Sequence, residues 1–177
     1  QPSIFGFAPS QELVVRKAKL ALKVFGYYRP TINLDVSETD WIMTVSLGSQ
    51  VTWNQVKVEV LGDGAELTAF KKIVANHPLK TSKPINHEHY QKLKKSLEIK
   101  ASELGFFKAS FLEQKLLINT DKHTADVRLI FDTKQRYLFR QLSLSGSALS
   151  DEFLASLILI KEQSPYLQSA ISKTHQA

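Results

Sequence analysis

Residues 103–111 read Glu-Leu-Gly-Phe-Phe-Lys-Ala-Ser-Phe, "ELGFFKASF". An apolar helix stripe runs up to this stretch, and a strand-like run leaves it. Upstream, Tyr90, Leu93, Leu97, Ala101 and Leu104 recur at i, i+3, i+7, i+11 and i+14, which is one face of a helix. Lys92, Lys94, Lys95 and Lys100 lie largely off that face, and Asn86 is placed to cap its start. Gly105 suits the left-handed position that ends many helices. Downstream, residues 107–119 and 125–132 read as two strands joined by the turn "TDKH".

The same punctuation occurs twice. Gly26-Tyr27-Tyr28 precedes Gly105-Phe106-Phe107 by 79 positions. A second landmark has nearly this spacing: the alternations "VKVEVLG" at 56–62 and "LFRQLSLSG" at 138–146 end in Gly62 and Gly146, 84 positions apart. Two unrelated features with one period indicate repeated modules. The middle copy is legible throughout. Val56, Val58 and Val60 alternate with Lys57 and Glu59, as in a half-buried strand. "GDG" at 62–64 stops it, and Leu67, Phe70 and Val74 mark a short helix. A loop with two prolines leads to the long helix and the strand pair. The order is strand, helix, helix, strand, strand.

Residues 10–48 match the last three elements of this unit. A helix lined by Val14, Ala18, Leu22 and Phe25 ends at Gly26, and "RPTINLDV" and "WIMTVSLG" form a strand pair. Residues 137–177 match the first three, with Ser150 as cap of the first helix and "SPYLQSAISKTHQA" opening the second. The boundaries are therefore 1–48 for an incomplete first module, 49–133 for a complete second and 134–177 for an incomplete third.

The βααββ module of about 80 residues resembles the polypeptide-transport-associated (POTRA) domain. It is most similar to the POTRA region of the TamA family within the BamA/TamA-type outer-membrane assembly factors. The resemblance rests on "ALKVFGYYRPTI" at 21–32, "INHEHYQKLKKSLEIKASELGFF" at 85–107 and "FDTKQRYLFRQLSLSGSALSDEFLASL" at 131–157. Two positions depart from the pattern: Arg140 and Gln163 stand where such sequences often have glycine. The resemblance implies an α+β fold of tandem modules, each with a three-stranded mixed sheet covered by two helices on one face. It also implies a periplasmic location, in front of a membrane-embedded barrel of the same polypeptide. Unfolded outer-membrane proteins and a TamB-like partner would be what such a region binds, without enzymatic activity.

Composition sets wider bounds. The chain has 177 residues, is 43% hydrophobic and 23% charged, and so is expected to be globular. No apolar run reaches the roughly 18 residues of a membrane span. The N-terminal "QPSIFGFAPS" does not read as a signal peptide. The net charge of +6 and pI near 9.4 permit nucleic-acid, lipid or acidic partners without selecting one. With no cysteine, disulfides, thiol catalysis and cysteine-ligated metals are excluded.

The "HEH" at 87–89 offers two histidines that point apart on a helix start, without a nearby third ligand. No nucleophile elbow is present, and "GDG" lacks the lysine and hydroxyl residue of a phosphate loop. A basic nucleic-acid-binding module is the alternative class, through Lys92, Lys94, Lys95 and Lys100. The clamp loop of the KH domain and the aromatic signature of the RRM are both missing. No catalytic, cofactor or metal residue is expected.

The resemblance implies that the strand after Gly105 lies at a sheet edge, where backbone groups can pair with an added strand. The candidate residues are Ser110, Phe111, Leu112, Glu113, Gln114, Lys115, Leu116, Leu117 and Ile118. Alternation places Phe111, Glu113, Lys115 and Leu117 on one face and Leu112, Gln114, Leu116 and Ile118 on the other. Both faces carry apolar residues, so the buried one stays open. A second reading makes Glu113 and Lys115 charges that discourage edge pairing; a third makes the modules a structural spacer.

Overall fold

A computed structural model describes residues 10–140 and 160–174. Gly146, the cap Ser150 and all but the last residue of the helix expected over 151–160 lie outside the described residues, as does the strand beyond Arg140. The elements are α1 (Gln11–Val24), β1 (Thr31–Val36), β2 (Trp41–Ser46), β3 (Thr52–Leu61), α2 (Thr68–Asn76), α3 (His87–Glu103), β4 (Ser110–Asn119), β5 (Thr124–Asp132) and α4 (Gln168–Thr174). The chain divides into two compact units. One comprises Gln1–Val56, Leu79–Tyr90 and Leu116–Val127; the other comprises Lys57–Pro78, Gln91–Lys115 and Arg128–Ala177.

Local chemistry explains the helix ends. The Ser10 hydroxyl accepts the Leu13 N–H at 3.3 Å and caps α1. Asn86 Oδ1 accepts the Glu88 N–H at 2.8 Å at the start of α3. Both α1 and α3 run into a glycine with positive φ, +88° at Gly26 and +83° at Gly105. That backbone state is cheap only without a Cβ.

β3, β5 and β4 form one three-stranded sheet in that order, with β5 central. The sheet is mixed. β4 and β5 are joined by the tight turn Thr120–His123 and so run antiparallel. At the start of β3, the Thr52 N–H meets His123 O at 3.0 Å; at its end, the Thr133 N–H meets Leu61 O at 2.9 Å. Start beside start and end beside end makes β3 and β5 parallel, and α2 and α3 supply the crossover. On β5, Ala125, Val127, Leu129 and Phe131 are buried, while Asp126, Arg128, Ile130 and Asp132 on the other face are not. Phe131 meets Phe70 of α2, ring centroids 6.4 Å apart, and Phe70 meets Phe106 edge-on at 5.8 Å. Leu93, Leu97 and Ala101 of α3 complete the buried layer of the second unit.

In the first unit, β1 and β2 pair antiparallel, Thr31 opposite Ser46 through Val36 opposite Trp41. Ile32 is buried, but β2 is exposed along its whole length and α1 buries no residue. In order along the chain, α1, β1 and β2 correspond to α3, β4 and β5.

Thr133 closes the far end of β3 and β5. It is fully buried; its hydroxyl donates to Leu61 O at 2.8 Å and accepts the Gly64 N–H at 2.9 Å. Thr133→Val keeps the shape and removes both bonds. It should cost about 1–3 kcal/mol in urea unfolding, because a buried N–H loses its partner. Thr133→Ser should recover most of that loss.

Candidate functional site

Each unit is organised around its glycine. In the first, Gly26 O accepts the Val51 N–H at 2.9 Å, and Val51 O accepts the Ile85 N–H at 2.9 Å. A Cβ on Gly26 would stand 2.4 Å from Ile85 Cγ2. In the second, Gly105 O accepts the Tyr137 N–H and Tyr137 O accepts the Tyr166 N–H, both at 2.9 Å. A Cβ on Gly105 would stand 2.5 Å from Tyr166 Cβ. The correspondence continues outward. Trp53 exchanges bonds with Ser82 and Lys83, as Phe139 does with Gln163 and Ser164. Gln50 Nε2 donates to Phe25 O at 2.7 Å, and Arg136 Nε donates to Leu104 O at 2.8 Å. In both units, then, the glycine is where a helix end, the backbone of Val51 or Tyr137 and the loop before a later helix converge.

The paired aromatics differ between the units: Tyr27 and Tyr28 are both half-buried, while Phe106 and Phe107 divide. Phe106 is buried, with the Arg136 guanidinium 5.7 Å above its ring. Phe107 is half exposed and meets Tyr137 and Tyr166 edge-on at 5.4 and 4.8 Å. In the first unit, Tyr28 holds the place of Phe107, and its hydroxyl lies 2.5 Å from His87 Nε2. Burial pushes the Tyr28 hydroxyl up to about 12 and holds His87 below the usual imidazole range. Tyr28 therefore keeps its proton and donates, and neutral His87 accepts. His87 of the "HEH" sequence is thus engaged by tyrosine, and among the described residues no three histidines, aspartates or glutamates gather to hold a metal.

β4 is an edge strand of the three-stranded sheet. Phe111 meets Phe131 in a tilted contact, centroids 4.8 Å apart, with Lys94 of α3 5.6 Å above its ring. Glu113 pairs with Arg128 of β5 at 2.8 Å. Phe111 and Glu113 are half-buried, and so are Leu116 and Ile118; Ser110, Leu112, Gln114, Lys115 and Leu117 are exposed. The inward face changes parity at Gln114–Lys115, two consecutive exposed residues. An unbroken alternation cannot give that pattern, and an extra residue in a strand can. Neither face read from the sequence is buried throughout, because each supplies half of it. The change leaves Leu112 and Leu117, on opposite sequence faces, 56% and 53% exposed.

No protein-family model matches the chain. Among solved structures, POTRA domains 3–5 of BamA from Haemophilus influenzae are similar over 92% of this chain, with a TM-score of 0.50 and 14% identity. The fold is of the POTRA type. This chain spans 66% of that structure's length. POTRA domains 1–3 of the periplasmic domain of Omp85 from Anabaena align with 95% of this chain and 70% of that one, at 9% identity and a TM-score of 0.41. BamA from Haemophilus ducreyi lacking POTRA domains 1–3 aligns at 17% identity and 0.39, over 73% of this chain and 24% of that one.

Within this POTRA-type fold, sequence reasoning located the glycines and the aromatics but not their partners. Gln50 and Arg136 share a role and no chemistry. Ser82 and Gln163 share something subtler: both sit at positive φ, +63° and +61°. The replaced loop glycine at 163 was the available signal. Gln163→Gly should stabilise the chain by about 0.5–1 kcal/mol in urea unfolding, by relieving a left-handed L-residue. Gln163→Ala should leave stability nearly unchanged, since the backbone penalty persists.

The Tyr28–His87 bond carries a pH dependence. The folded state holds His87 below its unfolded value, so the unfolded state binds the proton more readily. The contribution is present above the unfolded imidazole range, about pH 6.5, and is lost as the pH falls through the folded value. Stability measured by denaturant between pH 7 and 5 should decline, and His87→Gln should flatten that decline.

Proposed function

We propose that this chain is a periplasmic scaffold region of an outer-membrane protein assembly factor of the Omp85 type, with a TamA-like role. Its modules present β4 to clients. The observation that carries the reading is the edge strand Ser110–Asn119 of a POTRA-type sheet, with Leu112 and Leu117 exposed. An added strand would use backbone N–H and C=O groups, which every client shares, and the two leucines would supply sequence-tolerant apolar contacts. Unfolded barrel proteins, rich in alternating strands, suit this mode. Lys115 is exposed and Glu113 is held by Arg128, so the charge of this strand limits pairing without covering the edge. A TamB-like partner would use the same chemistry or another face of the modules. The POTRA-type fold supports a scaffold, and no enzymatic role is proposed.

The test is an amide-resolved titration with a peptide from the last strand of an outer-membrane barrel. Shifts should concentrate in residues 110–118. Leu112→Lys with Leu117→Lys should weaken binding about tenfold or more, from the apolar area lost. Shifts confined to other surfaces would remove the edge strand from the reading.

A further inference from the structure

The two glycine centres match closely enough that a difference between them is informative. In the first unit, the turn Thr120–His123 is held beside the centre. Arg29, three residues after Gly26, donates to Thr120 Oγ1 at 2.8 Å and pairs with Asp121 Oδ1 at 2.5 Å. Thr52, next after Val51, donates its N–H to His123 O at 3.0 Å. The turn is kept in shape by Asn119, whose Oδ1 accepts the N–H groups of Asp121 and Lys122 at 3.1 and 2.9 Å.

In the second unit, the residues at the places of Arg29 and Thr52 are Lys108, three after Gly105, and Leu138, next after Tyr137. Both line one groove of about 1350 Å³, with Lys134, Arg136 and Arg140. Its carboxylates are largely committed. Asp132 pairs with Lys134 at 2.6 Å, and Asp63 Oδ2 accepts the Arg136 N–H at 3.1 Å; Glu162 lies on the wall beside Gln163. The Arg136 guanidinium is spent on the carbonyls of Leu104 and Tyr166. Lys108 is left as an exposed cation at the position where Arg29 meets a carboxylate.

We propose that this groove is the seat of a β-hairpin turn that carries a carboxylate, contributed by the repeat unit to which Tyr137 belongs. Lys108 meets the carboxylate, and the Leu138 N–H meets a carbonyl of the turn. The occupant is assigned to the same polypeptide because the first centre shows that order: the turn held beside Gly26 comes from the strand pair that follows Val51 in the same repeat unit. The inference rests on the repeated geometry and is independent of the client reading of β4.

The probe is a disulfide-closed peptide of Leu117–Ala125, whose one carboxylate is Asp121. It is titrated into the isotope-labelled chain. Amides of Lys108, Leu138 and Arg140 should shift saturably. Lys108→Glu should weaken binding about fivefold, the scale of an exposed ion pair, and the peptide with Asp121→Lys should restore it on that variant. Lys108 is exposed, and an unchanged spectrum elsewhere shows that the variant is folded. Shifts outside the groove, none at millimolar peptide, or binding indifferent to Lys108→Glu would overturn the proposal. Sedimentation of the chain alone checks the source. Self-association abolished by Lys108→Glu would give the seat to a second copy and overturn the assignment to the same polypeptide. Failure here would leave the β4 titration untouched, since the two experiments read different residues.

Discussion

A helix that ends in a left-handed glycine still has unsatisfied carbonyls, and at Gly26 and Gly105 one of them is given to the N–H of Val51 or Tyr137. That single backbone bond fixes much else. It sets that residue beside the helix end, and the residue's own carbonyl in turn holds the loop before a later helix. The loop then lies over the glycine Cα, at a distance no side chain tolerates. Conformation and contact thus demand the same residue for two independent reasons. A substitution would have to solve both a positive φ and a collision with Ile85 or Tyr166. The glycine is the point on which each unit's elements converge.

Much of this was readable in sequence because helices and strands of this size announce themselves by periodicity. The stripe from Tyr90 to Leu104, the alternation of β3, the Asn86 cap and the glycine stops all depend on local chemistry. The three-stranded order, with β4 outside, came through resemblance, since periodicity carries no information on which strands neighbour. Other features depended on distant partners and left no pattern. Val51 and Tyr137, Ile85 and Tyr166, and Gln50 and Arg136 correspond through backbone atoms or a shared donor role, not through similar side chains. The parity change in β4 was invisible for a related reason. A run with apolar residues on both sequence faces fits one continuous register or two half registers equally well.

The strands differ in how far they are covered. β5 buries alternate residues from Ala125 to Phe131. In the first unit, β2 has the same place in the repeat and lies exposed. The charge of the chain is uninformative about function. Most lysines sit on helix faces or in short-range pairs, such as Lys71 with Glu66 and Lys57 with Glu59, all exposed. Such pairs contribute little to stability and select no partner.

A fold held together by backbone bonds at repeated points leaves its side chains free to diverge, and 14% identity to BamA domains of like fold is consistent with that freedom. The same property bears on how such modules engage others. If a strand start is recognised through a glycine carbonyl and a turn through an N–H, then chain order and geometry carry specificity, and the side chains adjust its strength. Arg29 and Lys108 illustrate the division. Either cation can meet a turn carboxylate, but arginine adds a second donor, used here on Thr120, and fixes the turn more tightly. On the proposal above, Lys108 meets its carboxylate as a point charge, so a repeat can keep one backbone architecture while grading how tightly each turn is held.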